Sequence, residues 1–478
     1  MRPLAAAILG GACIGVGWGP VLSQTPMSER DLRDASLRIV MDVLVDSPVE
    51  LGQCGAFGIA DPGIPEGELL LEEALENPLR PIRLAAVEGL RRIGSPAAIP
   101  AIERELQART WRIRREALRD LAKIAGPKLV PTLRNFLLSG RQPESVRAAA
   151  ADALGIVRDR SSVHDLLDLL AHENPTLRRH CLLALGEIAD PKAIGPLKEF
   201  QEETEDEYEN ALVNRALALS GDPQATSRME ALLQSPNPRL RGLARNTLLA
   251  RNRNSALASF RRSLRRGGTP SRVELILTLV SEDDTSSIPD LRILLESELS
   301  YDRQVAAAAL ARFGDRSGYP VLREALRKST WRYGDVVRSL LAGVEDASIA
   351  NLLVDVFRSG ELPDRVWAAT LLIRFRAPFA KRFLERVVRD NHSPYRAAAT
   401  EALVRAGARA GLEIIAERFK DPCTDGPNPA VASFETAPGP ETARYLGEIF
   451  PTATGVARVN IALVLLRVLE AEPTPSPL

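Results

Sequence analysis

The chain has 478 residues, 45% of them hydrophobic and only 5% aromatic, so it can bury a sizeable core built mostly from Ala and Leu. Sixty-two basic residues balance 62 acidic ones, which argues against a dedicated nucleic-acid binder while leaving local patches open. Four cysteines and four histidines exclude a disulfide-dense module, and their spacing defines no metal centre.

Residues 1–23 read as a secretory signal peptide. Arg2 precedes an apolar, small-residue-rich stretch, and Val21-Leu22-Ser23 leads to a mature start at Gln24. An uncleaved anchor and a cytoplasmic chain with an apolar leader are the competing readings. Export to a bacterial periplasm or cell envelope is the expectation. Past the leader, no stretch is long and apolar enough to span a membrane. Residues 24–76 form an atypical N-terminal helical cap. Leu37, Val40, Met41 and Leu44 line one of its helices, residues 69–75 form another, and the Gly/Pro-rich stretch 52–67 between them is irregular.

From residue 77 to 420 one pattern repeats. An anchor, usually Arg, is followed three positions later by a compact apolar residue and seven later by Leu. The anchors are Arg83, Arg114, Arg147, Arg178, Asn210, Arg241, Arg272, Arg303, Gly334, Arg365 and Arg396, spaced by 31 to 33 residues. Such a period means one helical hairpin copied and stacked. In the unit starting at Asn174, Asn174-Pro175 supplies a cap and first turn, and Leu177, Cys181, Leu182 and Leu185 line a helix face. Asp190-Pro191 then marks the turn into a second helix. At about 10 Å per unit the stack would be a rod on the order of 100 Å long. Asp recurs twelve residues after the anchor, as at Asp159, Asp190, Asp222, Asp284, Asp315 and Asp346. An Arg–Asp ladder joining successive units is the structural expectation, drawn through Arg83, Arg147, Asp159, Arg178, Asp190, Arg303 and Asp315. Residues 421–441 interrupt the rhythm as a long loop, 442–472 supply capping helices, and 473–478 form a disordered tail.

The stretches Val146-Arg147-Ala-Ala-Ala-Ala-Asp-Ala-Leu154-Gly155 and Leu177-Arg178 through Asp190-Pro191 resemble HEAT repeats, especially the HEAT-like type of phycobiliprotein lyases. The resemblance implies an all-α fold, a right-handed α-solenoid of about twelve HEAT-like hairpins, used for protein binding or scaffolding. It also implies that second helices line the inner surface.

Departures from repetition are the candidate sites. Between Ala231 and Val273 there are ten arginines and no acid. Arg253 occupies a turn position where other units carry Asp, and Arg261/Arg265 and Arg262/Arg266 form two i,i+4 rows on a second helix. These five form a candidate partner-binding patch, with a solvated Arg-rich face as the bland alternative and an anionic ligand surface as another. Trp331 and Tyr333, before the anchor-deficient Gly334 unit, form the aromatic candidate. Cys181 sits where a buried thiol is expected. Cys54 and Cys423 lie near opposite ends, so a disulfide between them would require the rod to fold back strongly. No catalytic, cofactor-binding or metal-binding constellation is found. The expectation is a non-enzymatic scaffold for a protein partner, with a bilin-lyase-like enzyme and a nucleic-acid binder using residues 239–272 as alternatives.

Overall fold

The anchors mark helices. The computed structural model describes residues 28–45, 49–60, 64, 66–266, 268–327, 334–344, 346–421, 431 and 440–470, and among them every regular element is helical. Nine of the eleven anchors are the fourth residue of a first helix, from Arg83 in Arg80–Ile93 to Arg365 in Leu362–Leu372; Gly334 and Arg396 open theirs. Local chemistry explains the starts. The Asn174 side chain accepts hydrogen bonds from the backbone N–H groups of Thr176 and Leu177 at 2.9 and 3.2 Å, and Pro175 holds the first helical position. Leu177, Cys181, Leu182 and Leu185 are fully buried. At the inter-helix turn Asp190 accepts from the N–H of Lys192, opening a short 3-10 turn that feeds the helix Ile194–Glu203. Asp159, Asp222, Asp315 and Asp346 cap their turns in the same way. Stacked hairpins share one continuous apolar core running from Leu32 to Val468.

The stack is not an open rod. Its last helix, Gly455–Glu470, packs against the first two, Glu29–Val45 and Val49–Ile59, so the solenoid closes on itself. A guanidinium N–H of Arg467 donates to the Gly58 carbonyl at 3.0 Å. The segment expected to be irregular after residue 52 is helical as far as Ile59, and its glycines explain why. A Cβ at Gly52 would lie 2.3 Å from Ile82 Cδ1, and one at Gly58 would lie 2.1 Å from Leu463 Cδ1. Glycine here permits close helix approach on two sides rather than a bend. The C-terminal helices do not act as a polar cap. In Gly455–Glu470, Val459, Ile461, Ala462, Leu463, Val464, Leu465 and Leu466 are all buried, so that the middle of this helix is covered on every side. The leader 1–23, the tail 473–478 and most of the loop 421–441 lie outside the described residues.

Candidate functional site

The anchor arginines have a common task, and it is not the expected pairing with the turn aspartates. Arg83, Arg114, Arg178, Arg241 and Arg303 each donate through one guanidinium nitrogen to the carbonyls six and five residues earlier, at 2.5–3.1 Å. Those carbonyls end the preceding hairpin, where helix termini leave acceptors without intrahelical partners. Arg147 reaches the Leu137 carbonyl at 2.8 Å for the same purpose. The turn aspartates take their cations from the preceding second helix or turn: Lys198 for Asp222, Arg261 for Asp284, Arg292 for Asp315 and Arg316 for Asp346. Asp159 and Asp190 act through their caps. A ladder between units therefore exists, but its cationic rungs differ from those expected. The reason is geometric. An anchor lies on the first helix facing the end of the previous unit, whereas the turn lies at the opposite end of that helix.

Where an anchor does meet an acid, the acid stands one or two residues from the next anchor. Arg178 binds both oxygens of Glu209 at 3.1–3.2 Å, Arg272 binds Asp302 at 2.6 Å, and Arg241 binds both oxygens of Glu274 at 2.7–2.9 Å. Burial pushes the Glu274 carboxyl up, but hydrogen bonds from Arg241 and Arg245 outweigh it and hold the group below the usual carboxylate range.

The same stacking largely neutralises the Arg-rich stretch. Arg253 pairs with Glu282, Arg261 with Asp284, Arg262 with Glu230 and Arg265 with Asp290. Arg241 and Arg245 share Glu274. All these acids lie outside residues 231–273, and the arriving partners sit 23 to 33 positions away in the chain. An acid-free window in sequence is thus not an acid-free surface. Arg262 and Arg265 keep side-chain exposures of 61% and 64%, and Arg266 is exposed beside them, which leaves a short row open to solvent. Trp331 and Tyr333 lie outside the described residues.

A second surface was not visible in the repeat pattern. Ile82 and Ile113 each precede an anchor by one residue, yet Ile82 is fully buried and Ile113 is 40% exposed. At their C-terminal ends the first helices Arg80–Ile93 and Trp111–Ile124 border a cleft of about 440 Å³. Glu88, Arg91, Arg92, Asp120, Lys123 and Ile124 line it. One repeat later, Trp111–Ile124 and Glu144–Ile156 pack closely. The same two helices carry exposed Leu84 (54%) and Trp111 (36%), and the guanidinium carbons of Arg112 and Arg115 sit 5.5 and 5.2 Å from the Trp111 ring centre. Leu84, Trp111 and Ile113 are thus exposed apolar side chains on two neighbouring repeats.

Cys181 is free and buried, and burial pushes its thiol up to about 12. Cys54, also fully buried, is disulfide-bonded, in a chain not expected to be stapled by cysteines.

Comparison with known proteins agrees with this architecture. A HEAT-repeat family model matches residues 67–144 and 137–218, and a PBS lyase HEAT-like repeat model matches residues 302–328. Among curated proteins there is no significant match. Of the solved structures, the complex of CpcE and CpcF of phycocyanin lyase from Nostoc sp. is 21% identical, with 47% of this chain and 92% of that one covered at a TM-score of 0.36. Kap121p bound to Ste12p is 12% identical over 94% of this chain and 66% of its own, at 0.38. Importin beta is 15% identical over 90% and 67%, at 0.35. At such scores none of the three bears on what this chain binds. The chain carries HEAT repeats, matched at residues 67–218 and 302–328 and stacked as an all-α solenoid.

Proposed function

We propose that the chain is a non-enzymatic scaffold that binds another protein along its solenoid surface, and that it works after export. The HEAT solenoid supports a scaffold or binding role in general terms. The observation that carries the specific reading is the exposure of Leu84, Trp111 and Ile113 towards the N-terminal ends of the first helices of the first two anchored hairpins. A partner presenting an apolar anchor would gain buried area there, and aromatic contacts of this kind dominate protein interfaces. The row Arg262, Arg265 and Arg266 supplies a secondary, electrostatic contact. Internal pairing of most arginines in 239–272 weakens the nucleic-acid alternative, whose motive was unpaired charge. The disulfide at Cys54 fits an oxidising compartment and so supports the export reading.

In-cell crosslinking and affinity capture of the full-length protein tests this, with mass-spectrometric identification of the partner and of the captured N-terminus. The expected result is an envelope protein crosslinked near Trp111, with the chain beginning near Gln24. Ile113→Glu with Leu84→Glu should weaken capture at least about tenfold, since two apolar contacts of about 1 kcal/mol each are lost. Arg262→Glu should weaken it only a few-fold. DNA, RNA or cytoplasmic enzymes as the dominant captured species, with the leader intact, would overturn the reading.

A further inference from the structure

Arg365 breaks a rule that the other anchor arginines keep. Each of the others, from Arg83 to Arg396, donates to a backbone carbonyl near the end of the preceding hairpin. The Arg365 side chain makes no hydrogen bond and no ion pair among the described residues. The positions that bring an acid to Arg178, Arg241 and Arg272, one before or two after the next anchor, are here Tyr395 and Ala398. Aromatic carbon stands where oxygen stands elsewhere. The guanidinium carbon lies 5.6 Å from the ring centre of Phe357, on Ile349–Ser359, and 5.1 Å from that of Phe383, on Pro378–Arg389. Those two rings meet edge to face at 5.2 Å. Arg365 Nε is buried without an acceptor, whereas the two terminal nitrogens keep contact with solvent.

The surroundings are cationic and stay so. Pro378–Arg389 carries Lys381, Arg382, Arg386 and Arg389 against the single acid Glu385. Phe379, Arg382, Arg386 and Arg389 follow one another at three- and four-residue steps and so share a face. Arg386 sits 5.9 Å from the Phe383 ring that Arg365 also meets, and no acid pairs with Lys381, Arg386 or Arg389 among the described residues. The arginines of 231–273 found their acids by stacking; these do not. Beside them Phe379 is 38% and Leu362 48% exposed, and Phe379 packs on Phe357 at 5.1 Å.

We propose that Arg365, framed by Phe357 and Phe383 and flanked by Arg386, is the binding site for an acidic segment of a protein partner in which Asp or Glu stands beside an aliphatic side chain. This goes beyond the contact at Trp111 and does not depend on it. The two terminal nitrogens form a planar fork that matches the two oxygens of one carboxylate, and the rings hold that fork in place before the ligand arrives. A partly buried cation is screened less by water than an exposed one, so a carboxylate gains more here than on an open Arg row. Leu362 lies one turn before Arg365 on Leu362–Leu372, and with Phe379 it offers the aliphatic neighbour an apolar seat. A nucleic acid is the poorer fit. Phe383 is buried and Phe357 is packed against two other rings, so neither gives a base a free face to stack on.

The test uses the full chain and a fluorescein-labelled peptide rich in Glu with a single Leu, read by fluorescence anisotropy. The same peptide with Gln for Glu, and a single-stranded oligonucleotide of equal charge, are run beside it. The acidic peptide should bind, and Arg365→Gln should weaken it at least about tenfold, the loss of a charge-assisted pair. Arg386→Gln, at an exposed side chain with no acid partner, should weaken it a few-fold and covers the case in which Arg365→Gln fails to fold. Arg405→Gln, at an exposed arginine paired with Glu401 on the next repeat, should leave it unchanged. Bound peptide should slow amide exchange across Leu362–Leu372 and Pro378–Arg389 and leave Pro175–Ile188 as it was. No binding of the acidic peptide, equal binding of its Gln counterpart, or equal weakening by Arg405→Gln would overturn the proposal. So would a folded Arg365→Gln protein that binds as the unaltered chain does, since Arg365 would then serve packing alone. Tighter binding of the oligonucleotide, lost with the same substitutions, would reassign the site to nucleic acid. Because the probe is a defined peptide, each result stands apart from whether a partner is captured at Trp111.

Discussion

Gly58→Ala places a methyl group where Leu463 already sits. The added Cβ would lie 2.1 Å from Leu463 Cδ1 and 2.9 Å from its Cγ and Cδ2, and Leu463 is itself buried at 1% exposure, so it has little room to turn away. In a helix with no neighbour on that side, exchanging Gly for Ala stabilises by up to about 1 kcal/mol. Overpacking a filled site costs about 1–3 kcal/mol. If the ends of the solenoid meet as described, the second effect wins and the variant loses up to about 2 kcal/mol; if they do not, the sign reverses. Leu463→Ala alone should cost about 2–5 kcal/mol by leaving a cavity. In the double variant the new methyl occupies part of that cavity, so the combined loss should fall short of the sum by about 1–3 kcal/mol. Because a stacked array opens in parts, the assay is residue-resolved hydrogen exchange over 49–59 and 455–470 rather than one global melting curve. A Gly58→Ala protein with slower exchange in both helices, and additivity in the double variant, would refute the closed stack.

Two further outcomes follow from the charge pairs. Arg178→Ala leaves the carboxylate of Glu209, 2% exposed, with only Arg179 at 3.3 Å as a cationic partner and strands two backbone carbonyls; urea titration should show a loss of about 2 kcal/mol, and Arg178→Lys should recover less than half because an ammonium cannot bind both oxygens in the same plane. Arg316 and then Ser348 hold the Asp346 carboxyl down at about 2, below its ordinary 3.8. A carboxyl depressed in the folded state contributes stability that is whole above pH 3.8 and is lost as the pH falls toward 2. The exchange protection that Asp346→Asn lacks at pH 5, measured over Ile349–Ser359, should therefore shrink between pH 4 and 2, whereas a constant difference would assign the protection to the cap alone.

Much of the fold was legible because its signals are local. Asn174-Pro175, the apolar positions 177, 181, 182 and 185, and the aspartate at 190 all act within a few residues of themselves, so sequence alone determined where the hairpins start, turn and bury their faces. The segment 52–59 was misread because glycine has two uses, and only the presence of Ile82 and Leu463 beside it shows that close approach is the one in play. Residues 442–472 were read as capping helices, and only the packing of Glu29–Val45 and Val49–Ile59 against Gly455–Glu470 shows what covers the last of them.

The candidate site was less legible, since it depends on which residues stacking brings together. An arginine in 231–273 finds its acid one repeat away, and nothing within the window reports that neighbour. The cleft at the C-terminal ends of Arg80–Ile93 and Trp111–Ile124 arises from how two first helices are set against each other, although both obey the same repeat pattern. The unit and its caps follow from the chain itself, through short-range hydrogen bonds and periodicity. Tertiary structure decided the charge partners, the cleft and the closure, because each depends on small rotations between hairpins that accumulate along the stack and leave no mark on any single repeat.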